Sequence, residues 1–151
     1  MPAKPANKAR LKVLVVDDDA VVLEVTRNWL EHAGYNVTTR VQAIGTAEWV
    51  TRERPDFVLL DVHMPGVSGS EIAQMIHRNR DADSIAIVFY SVMADEALDD
   101  LARCSGAVGG IKKTNSGRLF IAEFERLIAR HRANSRSSDK LRSAKSRMDS
   151  P

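Results

Sequence analysis

The feature that most constrains this chain is a change of hydrophobic period that recurs along it. Leu11–Val16 is a short apolar run, rich in β-branched residues, that stops abruptly at Asp17, Asp18 and Asp19. Such a run reads as a strand buried on both faces with an acidic exit. From about Ala20, Val22, Val25, Thr26, Trp29, Leu30 and Ala33 fall at spacings of three and four, the pattern of a helix packed on one face. Asp19 is placed to cap that helix and Gly34 to end it. The alternation then repeats. Tyr35–Thr39 reads as a second strand, and Ala43, Ala47 and Val50 mark a helix that ends before Pro55. Phe57–Leu60 runs straight into Asp61, and a loop with Pro65, Gly66 and Gly69 leads to a helix carrying Ile72, Met75 and Ile76. Ile85–Tyr90 stops at Ser91 and precedes a helix over about Asp95–Arg103. Ala107–Ile111 is a glycine-interrupted fifth strand followed by Lys112, Lys113 and Thr114. A last helix begins near Gly117 and reaches about Ala129, with Leu119, Phe120, Phe124, Leu127 and Ile128 inward.

Five strands alternating with five helices predict an α/β fold: a doubly wound (βα)5 three-layer sandwich of flavodoxin-like type around a five-stranded parallel sheet. In such sheets, sites form beyond the carboxyl ends of the strands. The residues predicted at those ends are Asp17, Asp18, Asp61, Ser91 and Lys113.

At 151 residues the chain suits one sizeable core. The pattern divides it into a flexible basic N-terminus (1–10), a folded domain (11–131) and a disordered tail rich in Ser, Lys and Arg (132–151). The net charge of +2 conceals a division: residues 13–130 carry 12 basic and 18 acidic groups, while residues 1–12 and 131–151 each contribute +4. The basicity therefore belongs to the ends of an acidic body, and specific nucleic-acid binding is not predicted. Cys104 is the one cysteine, which excludes an intrachain disulfide and a cysteine metal cage; it reads as a small, part-buried thiol. No apolar run approaches the roughly 18 residues of a membrane span, and no export signal is evident, so the cytoplasm is the expected location.

Asp17, Asp18 and Asp61 would repel one another in an empty pocket, and a cation would relieve the repulsion. Hard oxygen ligands without a His or Cys cluster favour Mg2+, with Mn2+ as a substitute, over zinc. An aspartate carboxylate can attack phosphorus to form an acyl phosphate. A metal and a lysine would then offset charge on the moving phosphoryl oxygens. Lys113 is placed for that role, and Ser91 for a hydrogen bond to another phosphoryl oxygen.

At this point the sequence resembles a known family. Val15-Val16-Asp17-Asp18-Asp19 is similar to the acidic opening of the response-regulator receiver domains (CheY-like) of bacterial two-component systems. Asp61-Val62-His63-Met64-Pro65-Gly66-Val67-Ser68-Gly69 resembles their phosphoacceptor loop, with Ser91 and Lys113 at the places of the family's Ser/Thr and lysine. The resemblance covers about Leu11–Arg130. It implies that Asp61 is the phosphoacceptor, that Asp18 binds Mg2+ directly and Asp17 directly or through water, and that the His63 backbone carbonyl completes the protein ligands. It implies a donor, either a histidine kinase or a histidine phosphotransfer protein, and a downstream protein that the sequence does not identify. It also leaves room for a homodimer. The protein would be a signalling phosphoprotein rather than a turnover enzyme, with Mg2+-dependent self-phosphotransfer and slow autodephosphorylation. Two positions depart from the family: Thr114 stands where proline usually follows the lysine, and Gly110 where an aromatic switch residue often lies.

Other residues have plainer readings. Asp19 is a cap, His63 faces solvent, and His32, His77 and His131 are surface residues. Lys112 points away from Lys113, Trp29 and Trp49 line helix faces, and Met64 and Pro65 shape their loop. Tyr90 is a packing residue that could substitute for the missing aromatic switch. Two alternative functions use the same features. One is a haloacid-dehalogenase-like phosphohydrolase built on Asp17 and Asp19, which leaves the Asp61 loop without a role. The other is a phosphorylation-independent receiver-like interaction module, consistent with Gly110 and Thr114.

Overall fold

The computed structural model describes residues 11–79 and 85–148; the N-terminal segment 1–10 of the sequence reading lies outside them. The elements are β1 (Lys12–Val16), α1 (Ala20–His32), β2 (Asn36–Arg40), α2 (Thr46–Glu53), β3 (Phe57–Leu60), α3 (Gly69–His77), β4 (Ala86–Ser91), α4 (Asp95–Ser105), β5 (Gly109–Lys112) and α5 (Gly117–Met148). The strands form one parallel sheet in the order β2-β1-β3-β4-β5. This is the predicted doubly wound α/β sandwich, and it puts β1 and β3 side by side at the centre.

Alternate strand residues feed two cores, because successive side chains leave a strand on opposite faces. Leu14, Val16, Val58, Leu60, Ile87 and Phe89 pack under α2, α3 and α4. Val13, Val15, Leu59, Val88, Tyr90 and Ile111 pack under α1 and α5, with Phe120 and Phe124 completely buried. Each of those phenylalanines contributes about 1.5–3 kcal/mol by leaving water.

Local signals fix the helix starts. The Asp19 carboxylate accepts from the N–H groups of Val21 (2.9 Å) and Val22 (3.4 Å), as its capping reading requires. Ser68 caps α3 by accepting from Glu71 N–H at 3.2 Å, half of a Ser-x-x-Glu capping pattern.

Several expected inward residues face out. Val25, Met75 and Leu119 are exposed, and in α1 the fully buried stripe is Leu23, Thr26 and Leu30. Spacings of three and four fit two neighbouring stripes of one helix, and the packing selects between them. Cys104 is exposed on α4 rather than part-buried, because Ala102 and Ser105 take the inward positions. His77 is half-buried rather than a surface residue, and its Nε2 lies out of reach of water. His131 is also half-buried. The expected disorder from residue 132 meets a different result, since α5 continues to Met148 with its side chains exposed beyond His131. That segment lacks Gly and Pro, and the docked first turns of α5 already supply the costly helix nucleus. Ser137 and Ser138 hydroxyls donate to the carbonyls of Ala133 and Asn134, each at 3.1 Å, within the helix itself.

Candidate functional site

Parallel pairing brings the chain exits together. Asp61 follows β3, and its N–H donates to Val16 O at 2.9 Å, which fixes the acceptor loop against the end of β1. Lys113 follows β5, and its N–H donates to Ser91 O at 2.8 Å. Carboxylate oxygens of Asp17, Asp18 and Asp61 lie within 4.8 Å of one another, Asp17 and Asp61 buried and Asp18 exposed. Lys113 Nζ stands 2.7 Å from Asp17 Oδ2 and 3.6 Å from Asp61 Oδ1. The contact to Asp17 is a close, nearly buried charge pair. Asp17 Oδ1 accepts from Asp19 N–H at 2.9 Å, which restrains the carboxylate at the site.

The electrostatics follow from crowding. Burial, then the neighbouring Asp17 charge, push the Asp61 carboxyl above its usual range; Lys113 and the His63 N–H oppose them, and Asp18 adds to the rise. Burial acts to lower the pKa of Lys113, but contact with Asp17 and then Asp61 outweighs it and raises the value. The lysine is therefore a fixed positive charge between two carboxylates.

The donor set fits a hard divalent cation. It offers three carboxylates, two of them buried, and no soft ligand in the cluster. Ser91 is fully buried at the end of β4. Its Oγ accepts from Met93 N–H at 3.3 Å, and among the described residues its own proton has no acceptor. The His63 side chain is exposed, as expected, so only its backbone faces the acceptor.

Thus Asp17, Asp18, Asp61, Ser91 and Lys113 all lie at the carboxyl edge of the sheet, and Lys112 is exposed away from them. A family model of the response regulator receiver domain matches residues 13–124. The chain belongs to this family.

Among curated relatives of the receiver domain, transcriptional regulatory protein CseB of Streptomyces coelicolor is 31% identical over 118 residues, 78% of this chain and 49% of CseB. The phosphate regulon transcriptional regulatory protein PhoB of Pseudomonas aeruginosa is 29% identical over 118 residues, 78% of this chain and 52% of PhoB. The chain thus spans about half the length of these relatives. The fold matches chemotaxis response regulator CheY4 of Vibrio cholerae at TM-score 0.71 and 22% identity, covering 78% of this chain and 98% of CheY4. It matches the BeF3-activated DrrB receiver domain at TM-score 0.63 and 25% identity, covering 79% of this chain and 97% of DrrB. No helix among the described residues is long and apolar enough to cross a membrane.

Two contributors carried no assigned role in the sequence. Gly69 has one: a Cβ there would stand 2.3 Å from Asp61 O, so only glycine lets α3 start this close to the acceptor. Its place in the acceptor-loop motif was the available signal. Leu98 is the other. A Cβ on Gly110 would lie 2.4 Å from Leu98 Cγ, so α4 closes over the position where the family often carries an aromatic residue. Nothing in the local sequence marks that contact. The Lys113–Thr114 peptide is trans.

Proposed function

We propose that this receiver domain is a phosphorylation-dependent signalling module in which Asp61 accepts a phosphoryl group from the phosphohistidine of a histidine kinase or histidine phosphotransfer protein. The observation that carries the reading is the placement of the Asp61 carboxylate beside both Lys113 Nζ (3.6 Å) and the Asp17–Asp18 pair. An Asp61 carboxylate oxygen attacks phosphorus, the P–N bond breaks, and the imidazole departs with the bond's electron pair, leaving an acyl phosphate on Asp61. Asp17, Asp18, Asp61 and the His63 carbonyl would hold Mg2+, or Mn2+ in its place. When bound, the cation offsets negative charge on the phosphoryl oxygens. Lys113 holds a second positive charge at the acceptor, and the Ser91 hydroxyl has its proton available for a phosphoryl oxygen.

Phosphorylation would then alter a surface read by a protein partner, in the cytoplasm and without sequence-specific nucleic-acid contact by this domain. Gly110 favours one competing reading, a receiver-like module that binds partners without phosphorylation, because Leu98 fills the space of the usual aromatic switch. One experiment separates the two. Acetyl phosphate with Mg2+ should add one phosphoryl mass to the intact protein, mapping to Asp61 and absent from Asp61→Asn. An unlabelled wild type, under conditions that label another receiver domain, sinks the acceptor reading. Lys113→Ala should impair phosphorylation-dependent change more than folding, as seen by comparing partner capture with the thermal midpoint.

A further inference from the structure

The side of the sheet away from Leu98 carries an aromatic chain that begins at the site. We propose that Tyr90 is a positioning residue for Lys113: its ring backs the ammonium between Asp17 and Asp61, and couples the lysine to Phe120 and Trp29. The proposal rests on Asp61 being the phosphoacceptor.

Tyr90 and Ser91 are consecutive on β4, so their side chains leave on opposite faces. Tyr90 is 4% exposed and belongs to the core under α1 and α5. Lys113 Nζ lies 5.8 Å from its ring centroid, within the range at which an aromatic face attracts a cation. The lysine is therefore held at both ends by neighbouring residues of β4. Ser91 O accepts its backbone N–H at 2.8 Å, and Tyr90 flanks its head group.

From Tyr90 the rings continue without a gap. Tyr90 and Phe120 centroids are 5.1 Å apart, and Phe120 and Trp29 centroids 5.6 Å apart. An open cavity of about 430 Å³, lined in part by Thr26, Trp29, Tyr90, Lys113 and Thr114, leaves this wall room to adjust. Thr114 also takes part. Burial raises the pKa of the Tyr90 hydroxyl, opposed first by the Thr114 N–H, a donor that proline at this position would lack.

On the opposite face Leu98 leaves no space for a moving ring. A shift of Lys113 toward a phosphorylated Asp61 would loosen its contact with Asp17 and change its place over Tyr90, disturbing Phe120 and Trp29.

The test uses the full chain with acetyl phosphate and Mg2+, and intact mass reports Asp61 phosphorylation directly. Tyr90→Phe keeps the ring and should phosphorylate at the wild-type rate. Tyr90→Leu removes the aromatic face and should be roughly two- to five-fold slower, with Mg2+ affinity unchanged. Equal rates for the Leu and Phe variants overturn the positioning role. If Tyr90→Leu does not fold, Trp49→Phe protein decides, because Trp29 is then its sole indole. Phosphorylation should change Trp29 emission, and the change should be absent from Trp49→Phe/Lys113→Met at matched phosphorylation. Stoichiometric phosphorylation with unchanged Trp29 emission refutes the coupling. A wild type that takes no phosphoryl mass refutes the acceptor reading instead.

Discussion

Replacing Gly110 with alanine tests the contact that separates this receiver domain most clearly from its family pattern. The added Cβ would stand 2.4 Å from Leu98 Cγ, 2.8 Å from Cδ2 and 3.1 Å from Cδ1, so every branch carbon of one leucine must yield. Leu98 is 1% exposed and packed among the core residues between α4 and the sheet. Overpacking of this kind costs about 1–3 kcal/mol. Gly110 has an ordinary negative φ, so the smaller freedom of alanine in the unfolded chain offsets about 0.4–1 kcal/mol. The net expectation is a loss of up to about 2.5 kcal/mol. Leu98→Ala alone should cost about 2–5 kcal/mol through the cavity it leaves. The same change deletes all three clashing carbons, and the new methyl at 110 would partly fill the space. The double variant should therefore be less destabilised than the sum of the singles by about 1–3 kcal/mol, the size of the overpacking that Leu98→Ala relieves. Urea unfolding of the four proteins, with equal m-values as the check on a common unfolded state, measures this directly. A stabilised Gly110→Ala protein, or singles that add within about 0.5 kcal/mol, would refute the claim that Leu98 occupies the switch position.

Three further outcomes follow from the site and the long helix. Because burial and Asp17 raise the Asp61 pKa, its ionised form burdens the folded state; Asp61→Asn should stabilise the protein at pH 7, and the advantage should fade as pH falls through Asp61's folded pKa toward its ordinary value. Urea midpoints from pH 3 to 8 would show it, and an advantage independent of pH would contradict the electrostatic cause. Mg2+ at about 100 times its Kd should add about 2.7 kcal/mol of stability; Asp18→Asn should remove most of that gain, and an undiminished gain would place the ion elsewhere. Truncation after His131 removes an exposed helix with no packing face, so the thermal midpoint should stay within the change expected for about 0.5 kcal/mol, while helical ellipticity falls; a larger drop would mean that the extension packs on the body.

The strand exits were legible because each apolar run ends at a polar residue whose side chain needs partners that an apolar core does not offer. Asp17, Asp61 and Ser91 announce both the end of a strand and the chemistry beyond it, so the fold and the site came from one signal. Helix faces were less legible. In α1, Thr26 and Leu30 are buried as expected. The same spacings admit both Val25, which is exposed, and Leu23, which is buried, and the packing of the helix on the sheet and α5 decides between them. Met75 and Leu119 failed for the same reason, each lying one step from the buried Ile76 and Phe120. The extension of α5 escaped because composition measures the ability to bury a core, whereas a helix already nucleated can continue without one.

The two glycines of β5 meet opposite faces. A Cβ on Gly109 would reach 2.7 Å from Leu127 Cδ2 on α5, as one on Gly110 would reach Leu98 on α4. At these two positions the strand is therefore a thin backbone layer gripped by leucines from both sides, and Lys113 directly follows its last residue, Lys112. A displacement of Lys113 cannot be passed along β5 by side chains at 109 and 110, because there are none. The routes left are the backbone, the Ile111 side chain in the core under α1 and α5, and the aromatic group beside the ammonium. The ring of Tyr90 is that group on the α1–α5 side. If Tyr90 positions Lys113 as proposed, a change at Asp61 reaches Phe120 on α5 through the ring of Tyr90, on the face of the sheet opposite Leu98.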